Sequence, residues 1–219
     1  MLIITKFTVS DKRTNCYICQ DQATGRCVII DPGEMTHALR TAMEQIRNEQ
    51  LERILLTHCH YDHVAAAWEI RKMTGALISV YADDAPGLGI PVVNRTGAHG
   101  RHSTVYPPAD ILLTDGQSIT VGETVFTVLH TPGHTIGSCC YVADNVLFSG
   151  DTLFREAAGK TNLPTGDTLQ MTQSLQRLAA LEGDYRVCPG HGEETSLAHE
   201  RAHNPFLNKF IFNERGDNI

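Results

Sequence analysis

Four times along this chain a short apolar run stops at a turn that carries histidine or aspartate, and this recurrence constrains the fold more than any other feature. Arg53–Leu56 runs into Thr57-His-Cys-His-Tyr-Asp-His63, and Val125–His130 into Thr131-Pro-Gly-His-Thr135. Val146–Ser149 runs into Gly150-Asp-Thr152, and Tyr185–Cys188 into Pro189-Gly-His-Gly192. Glycine beside the last three polar residues lets the backbone turn tightly and delivers each side chain to a sheet edge. Such a chain must bring the ends of several strands to one place.

Residues 2–9, 15–19 and 27–30 are apolar runs separated by Asp11-Lys-Arg13 and Thr24-Gly25, the pattern of antiparallel strands joined by turns. Ala38, Leu39, Ala42, Met43 and Ile46 recur at helical spacing and predict a helix over 36–50. A second helix is expected from Val64 to Met73 with Gly75 as its stop, then a strand over 77–80. Residues 82–110, rich in Gly, Pro, Asp and His without a clear period, read as a surface insertion bordering a site. The second half holds expected strands over 119–121, 125–130, 138–142, 146–149 and 185–188, and helices over 167–181 and 195–203. Two strand-rich halves, each followed by helices, point to an α/β (α+β) architecture of two sheets packed face to face with helices outside.

With 42% hydrophobic and 20% charged residues, the 219-residue chain can bury a full core, and one domain over 1–219 is expected. The net charge of -7, with no run of Lys or Arg, argues against a nucleic-acid or anionic-membrane partner that depends on a basic patch. No segment approaches the roughly 18 consecutive apolar residues of a membrane span. The N-terminal residues lack a basic stretch followed by a long apolar one, so a cytoplasmic protein is expected. Seven cysteines, an odd number in a chain that needs no disulfide framework, are expected as reduced thiols.

In His58-Cys-His60-Tyr-Asp62-His63 the first two histidines lie two residues apart and point the same way from extended chain, while Asp62 and His63 arrive as a helix begins. Four ligand-type side chains then converge from one rigid junction. Imidazole and carboxylate donors suit Zn(II), Fe(II) or Mn(II), and none of these clusters needs a thiolate. His134, Asp151 and His191, each at a strand end, are the further candidates.

At these residues the sequence resembles the metallo-β-lactamase superfamily, whose His-x-His-x-Asp-His motif matches residues 58–63 without a gap. Thr14-Asn-Cys-Tyr17, Asp31-Pro-Gly33, His130-Thr-Pro-Gly-His-Thr135 and Gly150-Asp-Thr-Leu-Phe154 are similar to landmarks of its glyoxalase II branch, the hydroxyacylglutathione hydrolases. The resemblance implies a four-layer αββα sandwich and two divalent metal ions, Zn expected and Fe or Mn as alternatives. It places one ion on His58, His60 and His134, the other on Asp62, His63 and His191, with Asp151 bridging. Two cations roughly 3.5–4 Å apart lower the pKa of a shared water from about 15.7 toward 7, which supplies hydroxide for thioester hydrolysis. Asp62 and Asp151 are then the catalytic carboxylates, Asp62 also orienting the water or accepting its proton. The alternative within the superfamily is a persulfide dioxygenase using one iron held by two histidines and an aspartate.

This chain departs from the branch at Val64-Ala-Ala-Ala67, where glycines are common, and at Ile136, where proline is common. Only 28 residues follow His191, so the helical domain that grips glutathione in longer members is not expected. Lys160, in the loop after Asp151, is the candidate contact for a substrate carboxylate. Cys16 and Cys19, three apart in a strand, should face opposite sides, and Cys59 should point away from the two histidines that flank it. His99, His102 and His130 read as surface or hydrogen-bonded residues, His199 and His203 as a solvated helical pair, and Asn15 and Tyr17 as packing beneath the metals.

Overall fold

The structure is a computed structural model that describes residues 1–46, 50–99 and 103–207, with the backbone alone for residues 98 and 99. The chain opens on three antiparallel strands, β1 (Leu2–Val9), β2 (Thr14–Asp21) and β3 (Cys27–Ile30), paired in that order. Helix α1 (His37–Gln45) then crosses to β4 (Leu51–Leu55), which lies parallel to β3. The short turn α2 (Tyr61–Val64), helix α3 (Ala67–Thr74), β5 (Leu77–Tyr81), the one-turn α4 (Ala85–Leu88) and β6 (Ile111–Leu113) complete a six-stranded sheet in sequence order β1 to β6.

The second half begins with β7 (Ser118–Val121), β8 (Thr124–His130), β9 (Cys139–Ala143) and β10 (Val146–Gly150), an antiparallel meander. A two-stranded hairpin, β11 (Leu153–Phe154) and β12 (Ala157–Ala158), precedes α5 (Thr168–Ala179). Strand β13 (Arg186–Pro189) pairs parallel to β10, and β14 (Thr195–Ser196) leads into α6 (Leu197–His203). The second sheet thus has the order β14-β13-β10-β9-β8-β7.

Three apolar layers separate four structural ones. Leu39 and Met43 of α1 and Ile70 of α3 pack with Ile29, Ile54 and Ile78 on the outer face of the first sheet. Between the sheets, Tyr17, Val28, Ile30 and Leu55 meet Phe126, Val128, Tyr141 and Phe148. On the far face of the second sheet, Met171, Leu175 and Leu178 of α5 and Leu197 of α6 cover Leu129, Leu147 and Val187. The αββα sandwich follows, because each sheet has two apolar faces to hide and each helix one. Cys16 faces the outer layer and Cys19 the inner one, as strand alternation requires, and all seven cysteines are free and buried. No helix among the described residues is long and apolar enough to cross a membrane.

Two expectations need correction. The helix expected from Val64 begins at Ala67, because the Ala66 N–H donates to the Pro32 carbonyl (2.9 Å) and breaks the run that starts at Tyr61. Helix α1 ends at Gln45, short of residue 50. Within the 82–110 insertion the described residues include 3-10 turns over Ala82–Asp84 and Thr96–His99 around α4.

The Asp31-Pro-Gly33 turn packs directly on α2, and a Cβ added at Gly33 would lie 1.5 Å from the Asp62 carbonyl oxygen. Gly33→Ala is therefore expected to destabilise the fold by about 3 kcal/mol or more, since a backbone atom must move to relieve overpacking. Gly75→Ala, at a left-handed φ of 78° with nothing within 4 Å, should cost only about 1–2 kcal/mol. Denaturant midpoints of the two variants check the contrast.

Candidate metal centre

All seven predicted donors meet where the two sheets adjoin. His58, His60, Asp62 and His63 follow β4 of the first sheet; His134, Asp151 and His191 follow β8, β10 and β13 of the second. His58 Nε2 and His134 Nε2 each lie 3.0 Å from His60 Nδ1, forming a first group of three imidazole nitrogens. Asp62, His63 and His191 form a second, with the Nε2 atoms of His63 and His191 3.2 Å apart and Asp62 Oδ2 3.6 and 3.4 Å from them. Asp151 touches both: its Oδ2 is 3.4 Å from His134 Nε2 and 3.5 Å from His191 Nε2, and its Oδ1 is 3.5 Å from His63 Nε2.

The outward nitrogens of these rings decide what faces inward. His134 Nδ1 donates to the Lys160 carbonyl (2.8 Å) and His191 Nδ1 to the Lys12 carbonyl (3.2 Å), since a carbonyl can only accept. His63 Nδ1 donates to Asp31 Oδ2 (2.9 Å). The Thr57 hydroxyl gives its one hydrogen to Asp31 Oδ2 (2.6 Å), so it must accept from His58 Nδ1 (3.0 Å). Four histidines are thereby held with Nδ1 protonated and Nε2 turned toward the centre, the arrangement in which outer partners orient metal-binding imidazoles. His60 presents Nδ1 instead, and its buried Nε2 has no hydrogen-bond partner; neither does Asp151 Oδ1. Ring nitrogens packed 3.0 Å apart, with the Nε2 atoms of His58 and His134 left as acceptors, beside an unsatisfied buried carboxylate oxygen, fit divalent cations.

The charges agree. Burial, with the surrounding histidines, pushes His58 and His60 well below the ordinary imidazole value, so both are neutral donors. At His63 burial works the same way, but Asp151, Asp62 and Asp31 outweigh it and raise the value. At His191 burial is likewise outweighed by Asp151 and Asp62, and the value rises to about 10. Asp62 and Asp151 resist protonation despite burial, because His63 and His191 hold both well below the usual carboxylate range. The centre attracts positive charge, whether a proton or a metal ion.

A model of the metallo-beta-lactamase superfamily matches residues 9–191. The chain belongs to that superfamily. It is 34% identical over 199 residues to the hydroxyacylglutathione hydrolase of Citrobacter koseri, a match covering 85% of this chain and 66% of that enzyme. Among solved structures it is similar to the BLEG-1 B3 metallo-beta-lactamase, at TM-score 0.86 and 35% identity over 94% of this chain and 99% of that one. It is also similar to TTHA1623 in a di-iron-bound form, at TM-score 0.80 and 30% identity over 93% and 100% of the two chains. The metallo-beta-lactamase superfamily assignment makes this protein a metallo-hydrolase with a divalent metal site.

In this superfamily member the centre opens into a cleft of about 450 Å³ lined by Lys12, Tyr61, Arg95, Phe154, Ala158, Lys160 and Leu163 in addition to His60, Asp62, His134, Asp151 and His191. Lys160 is among the residues that line the cleft. His130 stays outside it, stacked on Tyr81 with Nε2 against the Ile136 carbonyl (2.9 Å). His199 pairs with Glu156 (2.9 Å) beside His203, apart from the centre. His102 and the His99 side chain lie outside the described residues. Asn15 and Tyr17 both donate to the Pro189 carbonyl (3.0 and 2.8 Å) and so hold the His191 loop. Gly190 in that loop admits His63, whose Cε1 lies 2.8 Å from where a Cβ would stand.

Two buried carboxylates that support the donors are not apparent from the motif. Asp31 joins His63 to the Thr57–His58 pair; its sequence signal is only the Asp-Pro-Gly turn. Asp84, inside the insertion, accepts from the Cys59 N–H (2.8 Å), the Thr135 hydroxyl (2.8 Å) and the Gly137 N–H (2.7 Å), so it clamps the His58–His60 and His134 segments together.

Loading metal-free protein should release protons at pH 7, because His191 and His63 hold protons that a cation displaces. The sign follows from the raised value: affinity at His191 should climb as pH rises and level off near pH 10, which dye-monitored proton release and competition titrations measure. Asp31→Asn, which sets an amide against two donors, should lower metal affinity about 10–100-fold while the fold is retained by circular dichroism.

Proposed function

We propose that this metallo-hydrolase cleaves a thioester of the hydroxyacylglutathione type. His58, His60 and His134 would hold one divalent ion and Asp62, His63 and His191 the other, with Asp151 in reach of both groups. The observation that carries the reading is that pairing of two three-donor groups through one carboxylate, Asp151, at the floor of a cleft with Lys160 on its wall. The likeness to the Citrobacter koseri hydrolase and the cationic cleft support the choice of substrate. When bound, a divalent pair lowers the pKa of water toward 7 and polarises a carbonyl, so no serine or cysteine nucleophile is needed.

The chain's own residues do the rest. Asp62 stays ionised at neutral pH and accepts from the Thr14 hydroxyl (3.1 Å). A carboxylate so acidic stores a proton poorly but accepts a hydrogen bond well, so its role is to orient the attacking water rather than to retain the proton. Lys160 uses its carbonyl to fix His134 and its ammonium to hold a carboxylate of the substrate. Phe154 and Leu163 give the cleft wall an apolar face beside the charged groups. Zn is the expected metal, with Fe or Mn as alternatives. Seven donors in two groups favour a two-ion hydrolase over the one-iron dioxygenase.

Metal-loaded protein should release thiol from S-lactoylglutathione, and a chelator should abolish the release. Asp151→Ala should lower kcat by about 10²–10³-fold or more, the scale on which transition-state charge stabilisation acts. Absence of turnover at two metal ions per chain, or turnover only of a chromogenic lactam, or oxygen uptake on glutathione persulfide with one iron per chain, would overturn the proposal.

A further inference from the structure

We infer that the turn joining β1 to β2 controls the affinity of one donor group, Asp62, His63 and His191, and not of the other, with Ser10 and Thr14 as its positioning residues. The inference rests on the two-ion reading and adds what governs occupancy of one of the two positions. Asp62 and His191 belong to the same donor group but follow strands of different sheets, so their spacing needs a tie outside either sheet.

A closed circuit of hydrogen bonds through the turn supplies that tie. His191 Nδ1 donates to the Lys12 carbonyl (3.2 Å), and the Lys12 N–H donates to Ser10 Oγ (3.2 Å). The Ser10 and Thr14 hydroxyls lie 3.1 Å apart, and Thr14 Oγ1 donates to Asp62 Oδ2 (3.1 Å). Thr14 has one hydrogen and gives it to Asp62, so Ser10 must give its own to Thr14. The circuit closes at the donor atoms themselves, where Asp62 Oδ2 stands 3.4 Å from His191 Nε2. Thr14 is fully buried, so loss of its hydroxyl leaves Asp62 one hydrogen bond short with no solvent in its place.

The backbone of the turn is strained to make this contact. Ser10 and Arg13 both adopt left-handed conformations, φ 62° and 59°, which side chains other than glycine take up at a cost. The Arg13 N–H closes the turn on the Ser10 carbonyl (3.2 Å), and Thr14 pairs with His191 as an isolated β-bridge. The other group takes its support elsewhere, His58 from Thr57 and His134 from the Lys160 carbonyl. A change in the turn therefore bears on one group alone. Outer hydrogen bonds orient metal-binding side chains, and loss of one lowers affinity about 10–100-fold.

The test titrates metal-free protein with Zn(II) against a chromogenic chelator. The unaltered chain should take up two equivalents in two steps, one of which His191→Ala removes and His134→Ala spares. Thr14→Val, which keeps the side-chain shape without the hydroxyl, should weaken that step about 10–100-fold and leave the other unchanged. Thr14→Ser should restore it. Ser10→Gly removes the other hydroxyl at a backbone angle that glycine adopts freely, so the fold is retained while the same step weakens. Equal loss at both steps, an unchanged titration in Thr14→Val or in Ser10→Gly, or no recovery in Thr14→Ser overturns the inference and leaves the two-ion reading standing. Uptake of a single equivalent by the unaltered chain overturns that reading, and the inference with it.

Discussion

The buried carboxylate of Asp31 is the constraint on which the metal centre depends. It accepts from the Thr57 N–H (2.8 Å), the Thr57 hydroxyl and His63 Nδ1, and through the hydroxyl it also dictates the tautomer of His58. One acceptor thus settles which nitrogen two histidines turn inward. Its own placement requires a left-handed backbone, φ 51°, at the point where β3 ends beside β4. The Asp31-Pro-Gly33 turn then lies against α2 closely enough that only glycine fits. Strand pairing, turn conformation and donor orientation are consequences of the same contact.

The second sheet answers with backbone carbonyls. Lys160 and Lys12 each orient a histidine through the main chain while offering a charged side chain to the cleft. The lining of the cleft and the donor geometry are therefore coupled at single residues, so a change in either loop alters both.

The donors were legible in the sequence because their signal is local. His58, His60, Asp62 and His63 sit within six positions, and His134, Asp151 and His191 each follow a strand beside glycine. The four layers were legible from strand and helix periodicity, since each sheet face hides a distinct set of apolar residues. Asp31 and Asp84 were not, because their partners lie 25 or more positions away and only the tertiary fold discloses them. Lys12 and Arg95 were hidden for the same reason: a turn and an irregular insertion have no period from which to compute a direction. The interruption at Ala66 shows propensity losing to context, because three alanines favour helix yet a carbonyl from another loop captures the N–H. Strand β6 and the β11–β12 hairpin are three and two residues per strand, too short to carry an alternation.

The donors come in comparable numbers from both sheets: His58, His60, Asp62 and His63 from the first, His134, Asp151 and His191 from the second. An ion coordinated across that boundary is a cross-link between the two halves of the sandwich, added to the apolar packing of Tyr17, Phe126 and Phe148. Ligand binding to the folded state alone raises its stability by mass action, about 4.1 kcal/mol at a thousandfold excess over Kd. An ion held there would then set how firmly the halves are fastened as well as whether the centre can react, and starvation for metal would loosen the seam between them.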